Sequence, residues 1–150
     1  MNIVRYSNLP NTNPCVYNLT INFRQEYLWP TDGSIASEYQ EDDSRMIFYL
    51  AMDTVTNVLC GLVGYDSTNN RLRQLIIHPK FQGKGIGSKL VENVQKEALS
   101  FQNKSLKVYA WKESVPFYLK KGFNVVDQPY LSKGIVCQKM EINLINSKLL

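Results

Sequence analysis

The sequence predicts a single domain built on a mixed α/β sheet. Segments rich in strand-forming residues lie on both sides of two separated helical segments, an order that favours a sheet covered by helices. The length of 150 residues and the hydrophobic content of 44% are typical of one packed domain. No repeat, linker or low-complexity tract interrupts the sequence, so we expect one domain over residues 1–150, with the tail after residue 145 frayed.

The first elements are predicted from residue spacing. Asn2 to Tyr6 can form a short strand. Thr12 to Trp29 carries apolar residues at helical spacing, namely Val16, Leu19, Phe23 and Tyr27. Pro30 would end this helix because its nitrogen cannot donate a backbone hydrogen bond. Thr31 to Ser44 is polar and acidic, and we expect a loop there.

Three strands and two turns are predicted next. Arg45 to Met52 and Val58 to Tyr65 are rich in strand formers, and the turn Asp53 to Asn57 joins them as a hairpin. A second turn, Asp66 to Asn70, leads to a strand from Arg71 to Ile77. Pro79 would end this third strand.

The strand from Arg71 to Ile77 changes phase in its middle. Leu72 and Gln74 share one face under strict alternation, whereas the apolar residues Leu75 and Ile77 have the opposite parity. A one-residue β-bulge between Leu72 and Leu75 would explain this change, and it would part neighbouring strands. A strand that is buried on both faces would give a similar pattern.

The second half of the sequence predicts two helices and three strands. The longer helix carries one apolar stripe: Ile86, Leu90, Val91, Val94, Ala98 and Phe101. Ser114 can cap a short helix, Pro116 suits its first turn, and Gly122 can close it in the left-handed conformation. The strands are predicted over Leu106 to Ala110, Phe123 to Asp127 and Ile135 to Leu144, the last with Met140, Ile142 and Leu144 on one face.

Two segments carry opposite charge, although the net charge is only +4. Thr31 to Asp43 holds five acids and no base: Asp32, Glu38, Glu41, Asp42 and Asp43. Arg71 to Lys89 holds five bases and no acid: Arg71, Arg73, Lys80, Lys84 and Lys89. The first segment would favour a cationic ligand and the second an anionic one, although two solvated loops would have the same composition.

Cysteine usage and hydropathy narrow the class of protein. Cys15, Cys60 and Cys137 form no CxxC pair, and the single histidine, His78, leaves few ligands for zinc. We predict free thiols in a reducing compartment and no metal site. A signal-peptide pattern and an apolar run of about 18 residues are both missing, so we expect a cytoplasmic protein without a membrane partner. The basic segment lacks interleaved aromatic residues, which argues against a nucleic-acid partner.

The stretch Gln82 to Gly87 lies between a predicted strand and a predicted helix. Glycine at alternate positions lets the backbone turn tightly and approach a ligand closely. The first amides of the helix have no intrahelical acceptor, and the helix dipole adds about half a positive charge there. A pyrophosphate would satisfy both features. The spacing fits neither a P-loop nor the dinucleotide fingerprint, and the alternative is a glycine-rich helix entry that binds nothing.

Two motifs resemble one known family. The run Gln82-Gly83-Lys84-Gly85-Ile86-Gly87 resembles the (Gln/Arg)-x-x-Gly-x-(Gly/Ala) signature of the GNAT superfamily of acetyl-CoA-dependent N-acetyltransferases. Val115 to Phe123 resembles that family's second motif, commonly FYxKxGF. The resemblance is firm from Arg71 to Phe123, and Phe23 to Pro30 followed by an acidic loop looks like some small bacterial members.

This resemblance implies a fold and a cosubstrate. The fold would have about seven mostly antiparallel strands, splayed between the fourth and fifth, with helices on both faces and acetyl-CoA in the opening. By similarity, the cosubstrate would contact Leu75, Ile76, Ile77, Gln82, Gly83, Lys84, Gly85, Ile86, Gly87 and Ser88. An amine would attack the thioester directly in a ternary complex. Tyr118 matches the tyrosine that serves as general acid toward the CoA thiolate, although it could instead be a core aromatic.

The acceptor side of the site is less like the family. Arg73 stands where several members carry a glutamate, and Trp111 stands where many carry an asparagine. These two residues, with Glu38 and Asp43 of the acidic segment, are the predicted acceptor-binding residues. The proton of the amine could pass through water or to Glu38 or Asp43, whereas His78 suits a solvent-facing role better.

Two functions remain open at this stage. The favoured one is transfer of an acetyl group to a primary amine of a small molecule or peptide, which the acidic loop would select to be cationic. The alternative is a non-catalytic acyl-CoA-binding or regulatory module of the same fold. Either would be a monomer or a homodimer.

Overall fold

A single mixed sheet organises the protein. The computed structural model describes residues 1–29 and 42–145, and within them eight strands form one sheet in the order β1-β2-β3-β4-β5-β8-β6, with β7 also paired to β8. The strands are β1 Asn2–Ser7, β2 Ile47–Met52, β3 Leu59–Asp66, β4 Arg71–Ile77, β5 Ser105–Trp111, β6 Asn124–Val125, β7 Tyr130–Ser132 and β8 Ile135–Asn143. Only β4 and β5 pair in parallel. The predicted mixed α/β sheet is confirmed.

Helices cover both faces of this sheet. Four lie wholly within the described ranges: α1 Leu9–Thr12, α2 Pro14–Tyr27, α3 Ile86–Ser100 and α4 Val115–Lys120. On β2, Tyr49 and Ala51 belong to the core that α3 covers, whereas Phe48 and Leu50 belong to the core that contains Phe23 of α2. Because successive strand residues point to opposite faces, β2 is buried on both sides.

The predicted helix over Thr12 to Trp29 is shorter in the structure, and a helix that was not predicted precedes it. Asn13 separates α1 from α2, because its side chain accepts a hydrogen bond from the Val16 amide at 3.2 Å and so caps the second helix. The predicted apolar stripe is also partly wrong. Leu19 is exposed, whereas Thr20, Phe23 and Arg24 are buried.

The second half contains smaller corrections. Phe101 was predicted in the buried stripe of α3, but it follows the end of the helix and is exposed. Ser114 makes no side-chain cap, because its own backbone is already helical. The strand predicted over Phe123 to Asp127 is limited to β6, and the short hairpin of β7 with β8 was not predicted. Gly122 adopts the predicted left-handed conformation, with φ of 95°.

The predicted bulge is present in β4. In the register with β3, Gly64 pairs with Arg73 and Leu62 pairs with Ile76, so three steps along β4 match two steps along β3. Gln74 and Leu75 together therefore oppose a single residue of β3. Gln74 takes a φ of 58°, in the left-handed region.

Beyond this bulge, β4 and β5 separate. Their parallel register includes only Arg71 with Lys107 and Leu72 with Val108, although both strands continue past those pairs. Within the described part of the chain, the remainder of β4 pairs with β3 alone. The predicted opening between the fourth and fifth strands is thus confirmed.

A buried carboxylate fixes α3 against the sheet. Glu97 accepts hydrogen bonds from Arg5 at 2.5 Å and from Tyr49 at 2.7 Å, which joins the helix to β1 and β2. Burial alone would raise the pKa of the Glu97 carboxyl, but these hydrogen bonds outweigh it and hold the pKa below its usual range. This anchor helps to determine where the N-terminus of α3 meets the opening.

Candidate functional site

A cleft of about 570 Å³ lies at the N-terminus of α3. We call it the glycine cleft, because Gly83, Gly85 and Gly87 line it. Gly83 and Gly85 have φ values of 78° and 79°, which L side chains rarely adopt. A Cβ atom placed on either residue would meet nothing within 4 Å. The backbone of this turn therefore faces open space in which a ligand can approach it.

Local interactions shape the turn before the helix. The His78 side chain accepts a hydrogen bond from the Lys80 amide at 3.0 Å, at the start of a short 3₁₀ turn that begins at Pro79. The Gln82 side-chain amide donates to the Ile77 carbonyl at 3.4 Å. α3 then begins after Gly85, so the amides of its first turn are without intrahelical acceptors where they reach the cleft.

Eight of the ten predicted cosubstrate residues line the glycine cleft. They are Leu75, Ile77, Gln82, Gly83, Gly85, Ile86, Gly87 and Ser88. The side chain of Ile76 lies on the opposite face of β4 and packs in the core under α2. The Lys84 ammonium lies 5.2 Å from the centre of the Phe81 ring, at the outer side of the turn.

A second cavity, of about 230 Å³, lies between the separated ends of β4 and β5. We call it the aromatic cavity, because its walls include Trp29, Tyr109 and Trp111. Its basic lining residues are Arg71, Arg73 and Lys133, and the described part of the lining contains no carboxylate. The predicted acceptor residues Arg73 and Trp111 are thus brought together in this cavity.

Arg73 takes part in an ion-pair network beside the aromatic cavity. Its Nη1 lies 3.4 Å from the Asp42 carboxylate and 3.9 Å from the Asp66 carboxylate, and Arg45 contacts the same two acids. A guanidinium remains protonated in proteins. Arg73 therefore cannot accept the proton of an attacking amine, whereas a glutamate in its place could.

Tyr118 lies where the glycine cleft and the aromatic cavity meet. Leu75, Ser114 and Tyr118 are shared by both linings. The Tyr118 ring makes edge-to-face contacts with Phe117 at 5.1 Å and with Phe123 at 5.3 Å, and only 4% of the residue is exposed. Burial raises the pKa of the Tyr118 hydroxyl above its ordinary value, so it stays protonated at neutral pH.

The two sequence motifs touch each other at Gly87. A Cβ atom on this glycine would lie 3.4 Å from Cζ of Phe117, which is van der Waals contact, so the Phe117 ring of α4 packs beside the start of α3. This contact holds the glycine turn and Tyr118 on the same opening, although they are far apart in sequence.

Asp43 and His78 lie outside both linings. Asp43 is fully buried, with Arg24 donating to it at 2.8 and 3.0 Å and the Tyr17 hydroxyl donating at 2.8 Å. This placement gives Asp43 a structural role and does not favour the predicted role in acceptor binding. His78 is half-buried, and its ring lies 5.2 Å from the centre of the Tyr27 ring and 5.6 Å from that of Phe81. Glu38 lies outside the described residues.

Several residues near the site were missed in the sequence. Gln74, Trp29 and Tyr109 line the aromatic cavity, and Arg24 contacts the first two of them. Only Gln74 carried a local signal, since it lies at the phase change of β4. Arg24 lies in the stretch Phe23 to Pro30 that resembles some family members, but its hydrogen bonds could not be predicted, because its acceptors Asp43 and Gln74 are far away in sequence.

Comparison with known proteins identifies the family. The sequence model of the acetyltransferase (GNAT) domain matches residues 22–144, and the chain belongs to this GNAT acetyltransferase family. Solved structures with 14–20% identity share the fold. A search of curated protein sequences found no match.

Three solved structures illustrate the similarity. An aminoglycoside 6'-N-acetyltransferase complexed with coenzyme A has 17% identity and a TM-score of 0.78, with 98% of this chain and 99% of that chain covered. An acyl-CoA N-acyltransferase from Pseudomonas aeruginosa has 17% identity and a TM-score of 0.76, with 94% and 98% covered. A GNAT family acetyltransferase from Elizabethkingia anophelis with acetyl-CoA bound has 19% identity and a TM-score of 0.64, with 95% and 97% covered.

Other expectations concern thiols, metals and membranes. The three cysteine sulfurs are free thiols, with Cys15 exposed and the other two buried. Within the described ranges, no group of three or more metal-ligating side chains comes together, and no helix is long and apolar enough to cross a membrane.

Asp43→Asn tests whether Asp43 is structural. The substitution would leave the buried Arg24 guanidinium without its counter-charge, and we expect a loss of about 3–5 kcal/mol in the free energy of unfolding, measured by urea denaturation. Asp42→Asn is the control, because 39% of that side chain is exposed, and it should cost less than about 1 kcal/mol. Unchanged stability together with lost function would contradict the structural role.

Proposed function

We propose that this protein is an N-acetyltransferase that moves the acetyl group of acetyl-CoA to a primary amine, by direct attack in a ternary complex. The observation that carries the proposal is the meeting of two cavities at the buried hydroxyl-bearing ring of Tyr118. The glycine cleft has a backbone turn suited to a pyrophosphate, and the aromatic cavity is large enough for part of a small acceptor.

The glycine cleft suits coenzyme A in two respects. The amides from Gln82 to Ser88 hold the pyrophosphate at the helix N-terminus. The part of β4 beyond Leu72 has a strand edge on its β5 side, which pairs with the amide groups of the pantetheine arm as an added strand would. The coenzyme-bound structures of the same fold support this arrangement.

In the proposed reaction the protein positions the amine, stabilises the charged carbonyl oxygen and supplies a proton to the leaving thiolate. The amine nitrogen attacks the thioester carbon in the aromatic cavity, and an amide of Leu75 to Ile77 donates to the carbonyl oxygen as it gains charge. The C–S bond then breaks, and the thiolate takes the proton of the Tyr118 hydroxyl. The proton of the amine passes to water, because the described lining of the aromatic cavity offers neither a carboxylate nor an imidazole, and water then returns a proton to the Tyr118 phenolate.

The acceptor is a primary amine on a small molecule or a peptide. The aromatic walls suit the flat or apolar part of such a molecule. The hypothesis of a cationic acceptor depends on Glu38 and its neighbours, since the described walls are basic and the carboxylates of Asp42 and Asp66 pair with Arg73.

A thiol-release assay with acetyl-CoA over a panel of amines tests the proposal. The panel should include an aminoglycoside, a linear polyamine, neutral amino acids, acidic amino acids and a peptide with a free N-terminus. Release that depends on both the protein and an amine, with the acetylated product seen by mass spectrometry, would support acetyl transfer. Tight CoA binding without release across the panel would instead indicate the non-catalytic module, which the loss of the family's glutamate at Arg73 favours.

Gly85→Ala tests the role of the glycine turn. We expect CoA affinity to fall about tenfold, because the added methyl group strains a left-handed residue and occupies the space into which the pyrophosphate fits. Gly134→Ala is a matched control, since that glycine has a φ of 81° and an equally open surrounding but lies outside the cleft. Equal CoA affinity of both variants, measured by titration calorimetry, would indicate that the turn binds no pyrophosphate.

Tyr118→Phe tests the general acid. We expect turnover to fall about tenfold or more while CoA affinity is retained, because only the proton donor is lost. An acid is active in its protonated form, and the pKa of Tyr118 is raised, so wild-type turnover should show no loss from this group until the pH exceeds about 10. Tyr6→Phe, on β1 and outside both cavities, is the control. Normal turnover of Tyr118→Phe would remove this residue from the mechanism.

A further inference from the structure

We propose that Arg24 is a positioning residue for acyl transfer, acting through its hydrogen bond to Gln74. The inference rests on the proposed function, because the reaction takes place at the opening that the bulge of β4 creates. It assigns a role to a residue of α2 that lines neither the glycine cleft nor the aromatic cavity.

The bulge residue Gln74 has an unusual backbone for its place. Seven described non-glycine residues have positive φ, and six of them lie in turns or at helix ends: Asn8, Asn57, Asn70, Gln102, Asp127 and Lys133. Gln74 is the member of this set that lies inside a strand. A left-handed conformation costs an L residue roughly 1–2 kcal/mol, so neighbouring contacts must stabilise it.

The Arg24 side chain provides such a contact. Its Nη1 donates to Oε1 of Gln74 at 3.0 Å, and the guanidinium is completely buried. Arg24 cannot rotate away from this position without losing its other hydrogen bonds. These are Nε to the Thr20 carbonyl at 3.3 Å, Nη2 to Thr20 Oγ1 at 3.1 Å, Nη1 to Asp43 Oδ1 at 3.0 Å and Nη2 to Asp43 Oδ2 at 2.8 Å.

All five N–H groups of the guanidinium therefore donate hydrogen bonds, in the fixed fork geometry of arginine. The ring of Trp29 lies 4.8 Å from the guanidinium carbon and the ring of Phe48 lies 5.2 Å from it, so aromatic faces also hold it. Gln74 is thus bound to a rigid group. The bond fixes the residue that precedes Leu75, which lines both cavities.

The consequence for the reaction is geometric. If Gln74 relaxed to an ordinary strand conformation, the peptide groups of Leu75 and Ile76 would turn relative to the opening. Their donors would then miss the carbonyl oxygen of the thioester. Misplacement of reacting groups by about 1 Å can lower a rate by roughly a hundredfold. Arg24 acts in this way on the reaction without touching the substrate.

Gln74→Leu and Gln74→Glu form the primary test. Leucine has a similar size but no acceptor, so we expect kcat to fall about 10- to 100-fold while the CoA dissociation constant changes less than about threefold. Glutamate retains an oxygen acceptor for Arg24, so amide exchange at Leu75 and Ile76 should stay as slow in Gln74→Glu as in wild type. Its kcat is not used as a control, because Gln74 lines the aromatic cavity. Gln102→Leu is a matched control, because Gln102 has a φ of 65° but lies in the turn after α3.

Arg24→Lys provides a second measurement on the same bond. Lysine keeps a charge opposite Asp43 but has no fork with which to bond Asp43 and Gln74 together. If the two residues act through one hydrogen bond, the double variant Arg24→Lys/Gln74→Leu should lose no more kcat than the worse single variant. Additive losses, an unchanged kcat in Gln74→Leu, or equally fast amide exchange at Leu75 in Gln74→Leu and Gln74→Glu would each overturn the inference.

Amide hydrogen exchange separates this inference from the proposed function. We expect the amides of Leu75 and Ile76 to exchange faster in Gln74→Leu than in wild type, and at the wild-type rate in Gln102→Leu. The comparison requires that both variants have the same urea unfolding midpoint as wild type. Unchanged exchange would overturn the role of Arg24 even if the protein is active. A wild-type protein that acetylates no amine would overturn the proposed function, and the exchange rates would still decide whether the Arg24 bond holds the bulge.

Discussion

The bulge in β4 is the constraint on which the rest of the site depends. Because Gln74 and Leu75 together oppose one residue of β3, the strand bends away from β5 after only two paired residues. The separation leaves an unpaired strand edge and two cavities that meet at Tyr118.

Main-chain groups and side chains contribute to different parts of this opening. In the proposed function, the cosubstrate is held by main-chain groups: the glycine turn, the first amides of α3 and the edge of β4. Outside the glycine positions such groups are present with almost any side chain, and structures of only 14–20% identity share this fold. The aromatic cavity, where we propose that the acceptor binds, is lined by side chains such as Arg73 and Trp111, and there the sequence differs from the usual family pattern.

Much of the fold and half of the site could be predicted from local pattern. The bulge was visible as a phase change at Leu72 to Leu75, and the glycine turn was visible from spacing, because each is encoded by residues that are adjacent in sequence. The buried face of α2 was misjudged, since Arg24 is charged and its burial depends on Asp43 and Gln74. Long-range hydrogen-bond partners leave no mark on the local period of a helix.

The sequence by itself determined the two motifs and the glycine turn at the start of α3, where it predicts a pyrophosphate ligand. Those properties follow from backbone freedom at glycine and from helix-end polarity, which are local. Only the tertiary structure decided that Tyr118 lies between the two cavities, that the Asp43 carboxylate forms a salt bridge with Arg24, and that the Gln74 side chain accepts a hydrogen bond from Arg24 of α2. Each of these depends on contacts between distant segments, which form only when both faces of the sheet are packed.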